Sequence, residues 1–345
     1  MYLLKAKPKL SQSPDISELY EKLELRDRKG SPFFVIVDNK RNSFENWLYK
    51  ERPTSVVAYV IQLILRGSGN LIDVGAHIGT VSIPVAQLGT RVFSFEMHPE
   101  NCIKLSIGRY INKLPNLYVT QAAVTDKDRV LYFVSSGPWA SISKVPSSAM
   151  VAGYRLDMLM EMSNLTPPSR LRGDVVIKID VEGHDHKVLL GADSTIKKYR
   201  PVIIYESMMG ASKEGSLAAA IFLRDREYIF FEIHENAFVP VDEMGRQESF
   251  LMDYLAVPRS KADRILSRIK KGMPVRPLTP YERLKCVRIA AESNESIEHP
   301  LHAINVLAEW EFSDRSMARF ASEVASNLRN HQDELVRGIA SKRLR

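Results

Sequence analysis

Seven short apolar runs alternate with stretches of helical length in the middle of this chain. The runs lie at 70–75, 91–96, 116–124, 174–182, 200–207, 228–233 and 250–258. Stretches with helical period separate most of them, at 79–88, 99–112, 184–197 and 212–226. Strands that alternate with helices predict an α/β fold, in which a mostly parallel sheet carries helices on both faces. At 129–155 a strand-like run and a loop rich in serine and proline replace one helix.

The regions on either side of this alternation differ from it. The N-terminal residues are mixed and polar, with a helix-like stretch at 11–26 and a strand-like stretch at 32–38. We predict three regions in the 345-residue chain, namely an N-terminal extension, an α/β domain and a helical C-terminal region, with the bounds 1–45, 46–258 and 259–345.

The C-terminal region is predicted from its helix signals. Thr279, Pro280 and Glu282 form the pattern of a capped helix start. Further helical stretches follow at about 300–311 and 314–341. The last stretch has an apolar stripe, which either docks within the chain or forms a homodimer through the C-terminal helices.

Positive charge is concentrated in one segment of this region. Residues 259–276 hold seven Lys or Arg and one Asp, so they carry +6 of the net charge of +7. The helical pattern of the segment places basic residues on one face and apolar residues on the other. It fits an anionic partner, such as a membrane surface or nucleic acid. It also fits a helix packed on the main domain with a solvated face, which we favour.

The cysteine content and the N-terminus bear on the compartment. Only Cys102 and Cys286 are present, far apart and without metal-ligand spacing, which is typical of a reducing compartment. The N-terminus lacks the apolar core of a signal peptide, and the longest apolar stretch, 56–65, is about half a bilayer span. We therefore expect a cytoplasmic protein.

A glycine turn follows the first strand of the alternation. Asp73, Gly75 and Gly79 form the pattern D-x-G-x-x-x-G, and Glu96 ends the next strand, 23 residues after Asp73. A strand, a glycine turn and a helix N-terminus can bind a nucleoside cofactor, and an acidic side chain at the second strand end can hold both ribose hydroxyls. The dinucleotide fingerprint G-x-G-x-x-G fails, because His77 replaces its second glycine. The acidic Asp73 suits a ligand with a cationic end, a property of S-adenosylmethionine.

Several blocks together resemble one known family, the FkbM-type methyltransferases. They are NLIDVGAHIGTVSI, FSFEMHPEN, VTQAAVTDKD, YRLDMLME, VVIKIDVEGHDHKVLLGA and RPVIIYE, all between residues 70 and 206 and in the order of the family. The resemblance implies a class I, Rossmann-like methyltransferase with a mostly parallel seven-stranded sheet and S-adenosyl-L-methionine as cofactor. It also implies a hydroxyl acceptor, on a sugar, a glycan or a secondary metabolite.

The resemblance also implies roles for individual residues. The cofactor would be bound at two strand ends and one later strand, by Asp73, Gly75, Ala76, His77 and Gly79, by Glu96 and Met97, and by Ala122 and Ala123. One departure is Met97, where the family usually has a proline. For His77 itself we favour hydrogen bonding to the backbone over a role in chemistry.

The strand at 174–182 ends in charged residues. Lys178, Asp180 and Glu182 alternate, so we expect them to share one side of the strand, while Val181 faces the other. Ligands of open α/β sheets bind beyond the carboxyl ends of the strands, where Asp180 and Glu182 stand. We predict a catalytic role for both, with His184 as a third member that acts as a general base or orients the acceptor.

A metal site at the same strand end is the alternative that we reject. Asp180, Glu182, His184 and His186 lie close together in sequence. We expect a helix to begin near His184, and side chains two apart on a helix diverge by about 200°. We therefore predict no metal.

The sequence thus favours an S-adenosylmethionine-dependent O-methyltransferase. Two rivals stay open, an NAD-dependent oxidoreductase of Rossmann type and a non-catalytic cofactor-binding module that acts through the basic segment 259–276. A further open question is the loop at 135–148, which is either a lid over the substrate or a solvent-exposed linker.

Overall fold

The computed structural model describes most of the chain, over residues 19–136, 139–143, 145–161, 171–206, 213–241, 253–292, 298–309 and 315–344. Part of the helix-like stretch predicted at 11–26, parts of the loop at 135–148 and the start of the last predicted strand lie outside these residues. Within the described ranges, no helix has the length and apolar character needed to cross a lipid bilayer.

Strands and helices alternate along the described residues. The strands are β1 (Tyr20–Arg26), β2 (Pro32–Asp38), β3 (Asn70–Val74), β4 (Arg91–Glu96), β5 (Leu117–Gln121), β6 (Ala123–Val124), β7 (Arg129–Ser136), β8 (Trp139–Ser143), β9 (Met150–Tyr154), β10 (Val175–Ile179), β11 (Val202–Glu206), β12 (Tyr228–Ile233), β13 (Phe238–Val241) and β14 (Asp253–Pro258). The helices are α1 (Ser43–Glu51), α2 (Val56–Leu65), α3 (Ser82–Gln87), α4 (Pro99–Ile111), α5 (Leu156–Glu161), α6 (Asp185–Gly191), α7 (Asp193–Tyr199), α8 (Lys213–Arg224), α9 (Ala262–Ile269), α10 (Pro280–Glu292), α11 (Glu298–Glu309), α12 (Arg315–Arg329) and α13 (Glu334–Arg343).

The large sheet has eight strands in the order β13-β12-β14-β11-β10-β3-β4-β5. Its centre is parallel, whereas β14 is antiparallel to both of its neighbours and β13 is antiparallel to β12. The mostly parallel, Rossmann-like sheet predicted from the sequence is therefore confirmed. It contains one strand more than the predicted seven, because β13 pairs at the edge beside β12.

Alternate side chains of the central strands supply two separate cores. Leu71 and Val176 belong to a buried cluster with side chains of α2, whereas Ile72 and Ile177 belong to a cluster with side chains of α6. Successive side chains of a strand point to opposite faces, so each cluster lies on one face of the sheet. This double burial explains why the strands appear in the sequence as continuous apolar runs.

The N-terminal residues 20–26 are a strand and not the predicted helix. β1 pairs with β2 in an antiparallel hairpin. Leu23 and Leu25 are buried while Glu24 between them is exposed, which is the period of a strand. Both leucines join the same cluster as Ile265 and Ile269 of α9. The domain bounds at 45 and 258 stay predictions.

A second, four-stranded sheet occupies the region where a helix is missing from the alternation. Its order is β6-β9-β7-β8, so part of the predicted loop at 135–148 is strand. Leu131, Phe133 and Val151 form a small buried cluster, against which Met97 and Ile142 pack. The small sheet is thereby fixed beside the end of β4, where Met97 follows Glu96.

The C-terminal helices have a core of their own. Side chains of α10, α11, α12 and α13 form a separate buried cluster. The single helix predicted over 314–341 is two helices, because the Asp333 side chain accepts hydrogen bonds from the N–H groups of Leu335 and Val336 and so begins α13. The predicted homodimer stays a prediction.

The basic segment 259–276 makes ion pairs within the chain. Arg264 donates two hydrogen bonds to Asp174, at 2.5 and 2.6 Å, and Arg268 donates a third at 2.7 Å. Arg276 pairs with Glu282. These contacts and the burial of Ile265 and Ile269 match the packed helix that we favoured, while an anionic partner stays a prediction.

Candidate active site

A cavity of about 280 Å³ opens at the carboxyl ends of β3, β4, β10 and β11. Ten of the predicted site residues line it, namely Gly75, Ala76, His77, Glu96, Met97, Ala122, Ala123, Asp180, Glu182 and His184. Asp73 and Gly79 are not among its walls. The structure therefore brings the predicted cofactor and reaction residues to one cavity, with two exceptions.

Glu96 is held by two backbone groups. Its Oε2 accepts a hydrogen bond from the His77 N–H at 2.7 Å, and its Oε1 accepts one from the His98 N–H at 2.8 Å. Burial raises the pKa of Glu96, and these two N–H groups oppose that rise. Each carboxylate oxygen keeps a further lone pair, so the side chain can still accept hydrogen bonds from two ligand hydroxyls.

The turn after β3 depends on Gly75. Its φ is +78°, and a Cβ on this residue would lie 1.8 Å from the backbone oxygen of Asp180. The ends of β3 and β10 therefore approach each other more closely than any side chain allows. This approach brings the part of the cavity at the end of β3 next to the part at the end of β10.

Two of the predicted cofactor residues, Asp73 and Gly79, do not line the cavity, and their roles in cofactor binding stay predictions. Asp73 is fully buried, and its Oδ2 accepts a hydrogen bond from Ser82 at 2.5 Å. Its other oxygen, Oδ1, lies 3.6 Å from the ammonium of Lys178. Gly79 supports packing, since a Cβ there would lie 2.4 Å from Leu105. Asp73 is thus a buried carboxyl group beside an internal cation, and burial raises its pKa against the lowering effects of Lys178 and Ser82.

Lys178 connects both sides of the site. Its ammonium donates to the backbone oxygen of Gly75 and to Asp180 Oδ2, each at 3.0 Å. Burial alone would lower the pKa of Lys178, but the carboxylates of Asp180 and Asp73 raise it above its ordinary value. Lys178 is therefore a buried, charged group held by three partners.

The strand geometry predicted for 180–182 is wrong in one respect. β10 ends at Ile179, and Glu182 has a φ of +54°, so the alternation of sides stops before Asp180. Val181, predicted to face away, lines the cavity together with Asp180 and Glu182. A left-handed conformation at a non-glycine residue is uncommon, and here it lets three consecutive side chains reach the same cavity.

Three more carboxyl groups surround Asp180. Glu206 ends β11 and lines the cavity, and it lies opposite Asp253 of β14 in the sheet. Burial and the neighbouring Asp180 raise the pKa of Glu206 to about 10 and that of Asp253 to about 6. The same causes raise the pKa of Asp185 to about 7. Glu206 therefore holds its proton at neutral pH, and Asp185 is about half protonated there.

His184 lies at the start of α6, on the cavity wall. Its Nε2 is 2.9 Å from Thr125 Oγ1. Burial, and after it the charge of Lys187, lowers the pKa of His184 to about 4. The imidazole is therefore neutral at physiological pH and carries one nitrogen lone pair.

His184 and His186 do not converge on a common metal position. The ring centroids of His184 and His186 are 6.4 Å apart. In the part of the chain that the structure describes, no group of three or more His, Cys, Asp or Glu residues is arranged to hold a metal ion.

Sequence reasoning did not assign several further wall residues, among them Phe44, Asn101, Ile142 and Glu206. Phe44 belongs to α1, and its ring meets the His77 ring edge-on at a centroid distance of 4.8 Å. No local pattern marks Phe44 or Ile142, since each reaches the cavity from a distant element. Glu206 could have been predicted from the sequence, because it ends a predicted strand. The carboxyl end of that strand lies at the same edge of the sheet as Asp180.

Comparison with known proteins gives one family match. The family model described as the methyltransferase FkbM domain matches residues 73–239. A search of functionally curated proteins finds no match.

Several solved structures are similar to this chain. A methyltransferase FkbM from Methylobacillus flagellatus is 17% identical with a TM-score of 0.37, and the match covers 57% of this chain and 47% of that one. This chain thus spans about half the length of that protein. A 16S rRNA N2 G1207 methyltransferase from T. thermophilus, solved with AdoMet and guanosine, is 12% identical with a TM-score of 0.38, covering 71% of this chain and 52% of its own. A SAM-dependent O-methyltransferase from Thermotoga maritima is 10% identical with a TM-score of 0.32, covering 71% and 97%.

Proposed function

We propose, from the match of residues 73–239 to the methyltransferase FkbM domain, that the protein transfers a methyl group from S-adenosylmethionine to a hydroxyl acceptor. The observation that carries the proposal is that Glu96 and His184 line the same cavity. The acceptor that we propose is a sugar, a glycan or another small metabolite.

The residues on the walls fit the cofactor. Glu96 offers carboxylate lone pairs to the ribose hydroxyls, while Ala122, Ala123 and Met97 supply apolar surface for the adenine. Asp180 and Glu182 place two more carboxyl groups on the cavity, where they can face the cationic end of the cofactor, as was predicted for Asp73. Bound there, S-adenosylmethionine would supply a methyl group on a positively charged sulfur.

The reaction needs little from the protein beyond alignment and a place for one proton. The acceptor oxygen forms a bond to the methyl carbon while the carbon–sulfur bond breaks and its electron pair stays on sulfur. The acceptor hydroxyl becomes strongly acidic as its oxygen bonds to carbon, so even a base with a pKa of about 4 can take the proton. In our proposal His184 takes it, and Asp180 and Glu182 orient the acceptor.

Cofactor binding is the first test. Titration calorimetry with S-adenosylmethionine and with NAD should give binding of the first and none of the second. Glu96→Gln should weaken S-adenosylmethionine binding at least about tenfold, because the amide nitrogen cannot accept the hydrogen bonds that a carboxylate accepts. Glu100→Gln, on an exposed side chain in the first turn of α4, is the matched control and should leave the affinity unchanged. Preferential binding of NAD would overturn the proposal in favour of an oxidoreductase.

Methyl transfer is the second test. A labelled-methyl assay against sugars, glycans, small metabolites and RNA should find a hydroxyl acceptor. Asp180→Asn, Glu182→Gln and His184→Gln should each lower turnover by about 100-fold or more while S-adenosylmethionine still binds. Asp225→Asn, on an exposed loop, should change neither. Unaltered turnover in all three variants would show that the reaction residues are wrong, and cofactor binding without transfer to any acceptor would favour the non-catalytic module.

A cytoplasmic location belongs to the same proposal. Cys102 and Cys286 are both free thiols, which supports a reducing compartment.

A further inference from the structure

We propose that Thr125 and Asp126 set the tautomer of His184, so that Nδ1 of the imidazole is the nitrogen that accepts the proton of the acceptor. The inference rests on the proposed function, in which His184 is the base. Neither Thr125 nor Asp126 is on the cavity wall, so both are positioning residues.

The hydrogen-bond geometry fixes which group donates. Thr125 Oγ1 lies 3.0 Å from Asp126 Oδ1 and 2.9 Å from His184 Nε2. Burial would raise the pKa of Asp126, but hydrogen bonds from Thr125 and Lys187 lower it below its ordinary value, so the group is a carboxylate. A carboxylate only accepts hydrogen bonds, and a hydroxyl has only one proton. The Thr125 proton therefore points to Asp126.

The imidazole must then donate to Thr125. With its proton committed to Asp126, the Thr125 oxygen can only accept from His184, so Nε2 carries the imidazole proton. Nδ1 is left with the lone pair. His184 lines the cavity and its Nε2 is bonded to the fully buried Thr125, so in our proposal Nδ1 is the nitrogen that faces the acceptor.

The surrounding backbone holds this geometry. The Thr125 N–H donates to the Tyr154 oxygen at 2.9 Å, which ties the segment to β9. On the other side, a Cβ on Gly191 would lie 2.0 Å from the Thr125 backbone oxygen. Gly191 ends α6, and His184 caps its start, so the missing side chain lets the whole helix lie against Thr125.

Most of the charged groups around His184 keep its imidazole neutral. Lys187, His186 and Arg129 lower its pKa and Asp126 raises it, while burial has the largest effect and lowers it. The imidazole is consequently neutral before the reaction. When Nδ1 takes the proton of the acceptor hydroxyl, the ring becomes an imidazolium that donates from both nitrogens, with Nε2 still bonded to Thr125. Solvent then receives the proton from Nδ1, and the balance is complete.

The tautomer can be measured without any acceptor. Long-range proton–nitrogen NMR of the full chain, labelled with ¹⁵N-histidine and assigned with His184→Gln, reports which nitrogen carries the proton. The wild type and Thr125→Ser should show a protonated Nε2 and a bare Nδ1. Thr125→Val keeps the shape and loses the hydroxyl, so it should show a mixture of tautomers. A wild-type His184 protonated on Nδ1, or an unchanged tautomer in Thr125→Val, would overturn the proposal.

A second variant covers the case in which Thr125→Val does not fold. Asp126→Asn can donate to Thr125 through its amide, which frees the hydroxyl proton to point at His184, and the tautomer should shift toward a protonated Nδ1. S-adenosylmethionine affinity should stay within about twofold of the wild type in all of these variants. Failure of the wild type to bind S-adenosylmethionine would count against the proposed function alone, because the NMR result does not depend on it.

Kinetics then test the role of the tautomer. With the hydroxyl acceptor found in the labelled-methyl assay, Thr125→Val should lower kcat by about tenfold or more at unchanged KM, and Thr125→Ser should restore it. Equal kcat in Thr125→Val and the wild type would show that the tautomer does not matter for transfer.

Discussion

The two halves of the cavity stabilise their carboxyl groups in different ways. At the ends of β3 and β4, Glu96 accepts hydrogen bonds from two backbone N–H groups. At the ends of β10 and β11, Asp180, Glu206 and the nearby Asp253 crowd together, with Lys178 as the cation among them. Backbone N–H groups do not titrate, so they hold Glu96 in the same way at any pH. Carboxyl groups that crowd together gain or lose protons as the pH changes. The ends of β3 and β4 are therefore suited to binding a ligand in the same way at every pH. The ends of β10 and β11 are suited to a reaction in which a proton moves.

The largest expected effect comes from removing the cation that the two halves share. Lys178→Met leaves Asp73 buried without its partner, and we expect a loss of about 3–5 kcal/mol in the free energy of unfolding. Urea unfolding at pH 7 measures it. The double variant Asp73→Asn/Lys178→Met removes both charges and should recover most of the loss. A loss below about 1 kcal/mol in the single variant would mean that the two halves do not depend on this ion pair.

The second largest loss of stability is expected where β3 and β10 approach each other at Gly75. Gly75→Ala should cost about 3 kcal/mol or more, because its Cβ would lie 1.8 Å from the Asp180 backbone oxygen. Gly30→Ala is the matched control, since Gly30 has a similar φ of +84° and no atom within 4 Å of its Cβ position. We expect it to cost only about 1–2 kcal/mol, the cost of the left-handed conformation itself. Equal losses in thermal unfolding would show that β3 and β10 can separate without penalty.

Crowding in the reaction half predicts a pH dependence. The pKa of Asp185 is about 7 against an ordinary value of 3.8, so its contribution to stability is present at low pH and is lost as the pH rises through about 7. Asp185→Asn should therefore stabilise the protein by roughly 1–3 kcal/mol at pH 8 and by much less at pH 5.

The control for this dependence is Asp193→Asn in α7. Hydrogen bonds from Lys197 and Arg226 lower the pKa of Asp193, so its contribution is present at neutral pH and is lost as the pH falls through its lowered pKa. Its substitution should destabilise the protein at pH 8. Thermal unfolding at pH 5 and pH 8 measures both variants. A change in stability at pH 8 of the same sign in the two variants would contradict the raised pKa of Asp185.

The smallest effect is expected at Glu206. With a pKa of about 10, its carboxyl group is protonated at pH 7, and glutamine is close to it in shape and charge. Glu206→Gln should therefore change the free energy of unfolding by less than about 1 kcal/mol at pH 7. Stabilisation by more than about 2 kcal/mol in urea unfolding would show that Glu206 is ionised, and the reaction half would then resemble the first half.

The sequence predicted the sheet well because its strands are buried on both faces, which leaves continuous apolar runs. The prediction failed at residues 20–26, where buried and exposed side chains alternate along a strand. Over so few residues the apolar pattern also fits a helix. The prediction missed β13, which pairs only at the edge of the sheet.

In the site, contiguous segments were predicted and long-range contacts were not. Glu96 and the turn after β3 lie on the cavity because the strand ends place them there. The contact of Asp73 with Lys178 was not predicted, because Lys178 is 105 positions later in the chain. The Thr125 contact of His184 joins elements 59 residues apart, and no spacing in the sequence indicates it.

The position of β14 has a consequence for synthesis on the ribosome. This strand lies between β11 and β12, although it follows both in the chain. While residues up to 241 emerge, β12 and β13 can pair with each other but cannot join the sheet, which ends at β11 until Pro258 has been made. Every residue on the cavity wall lies at or before Glu206, so the walls are synthesised before these last strands. Asp253 enters with β14 opposite Glu206, so the carboxyl crowding around Glu206 is complete only when the last strand has joined the sheet.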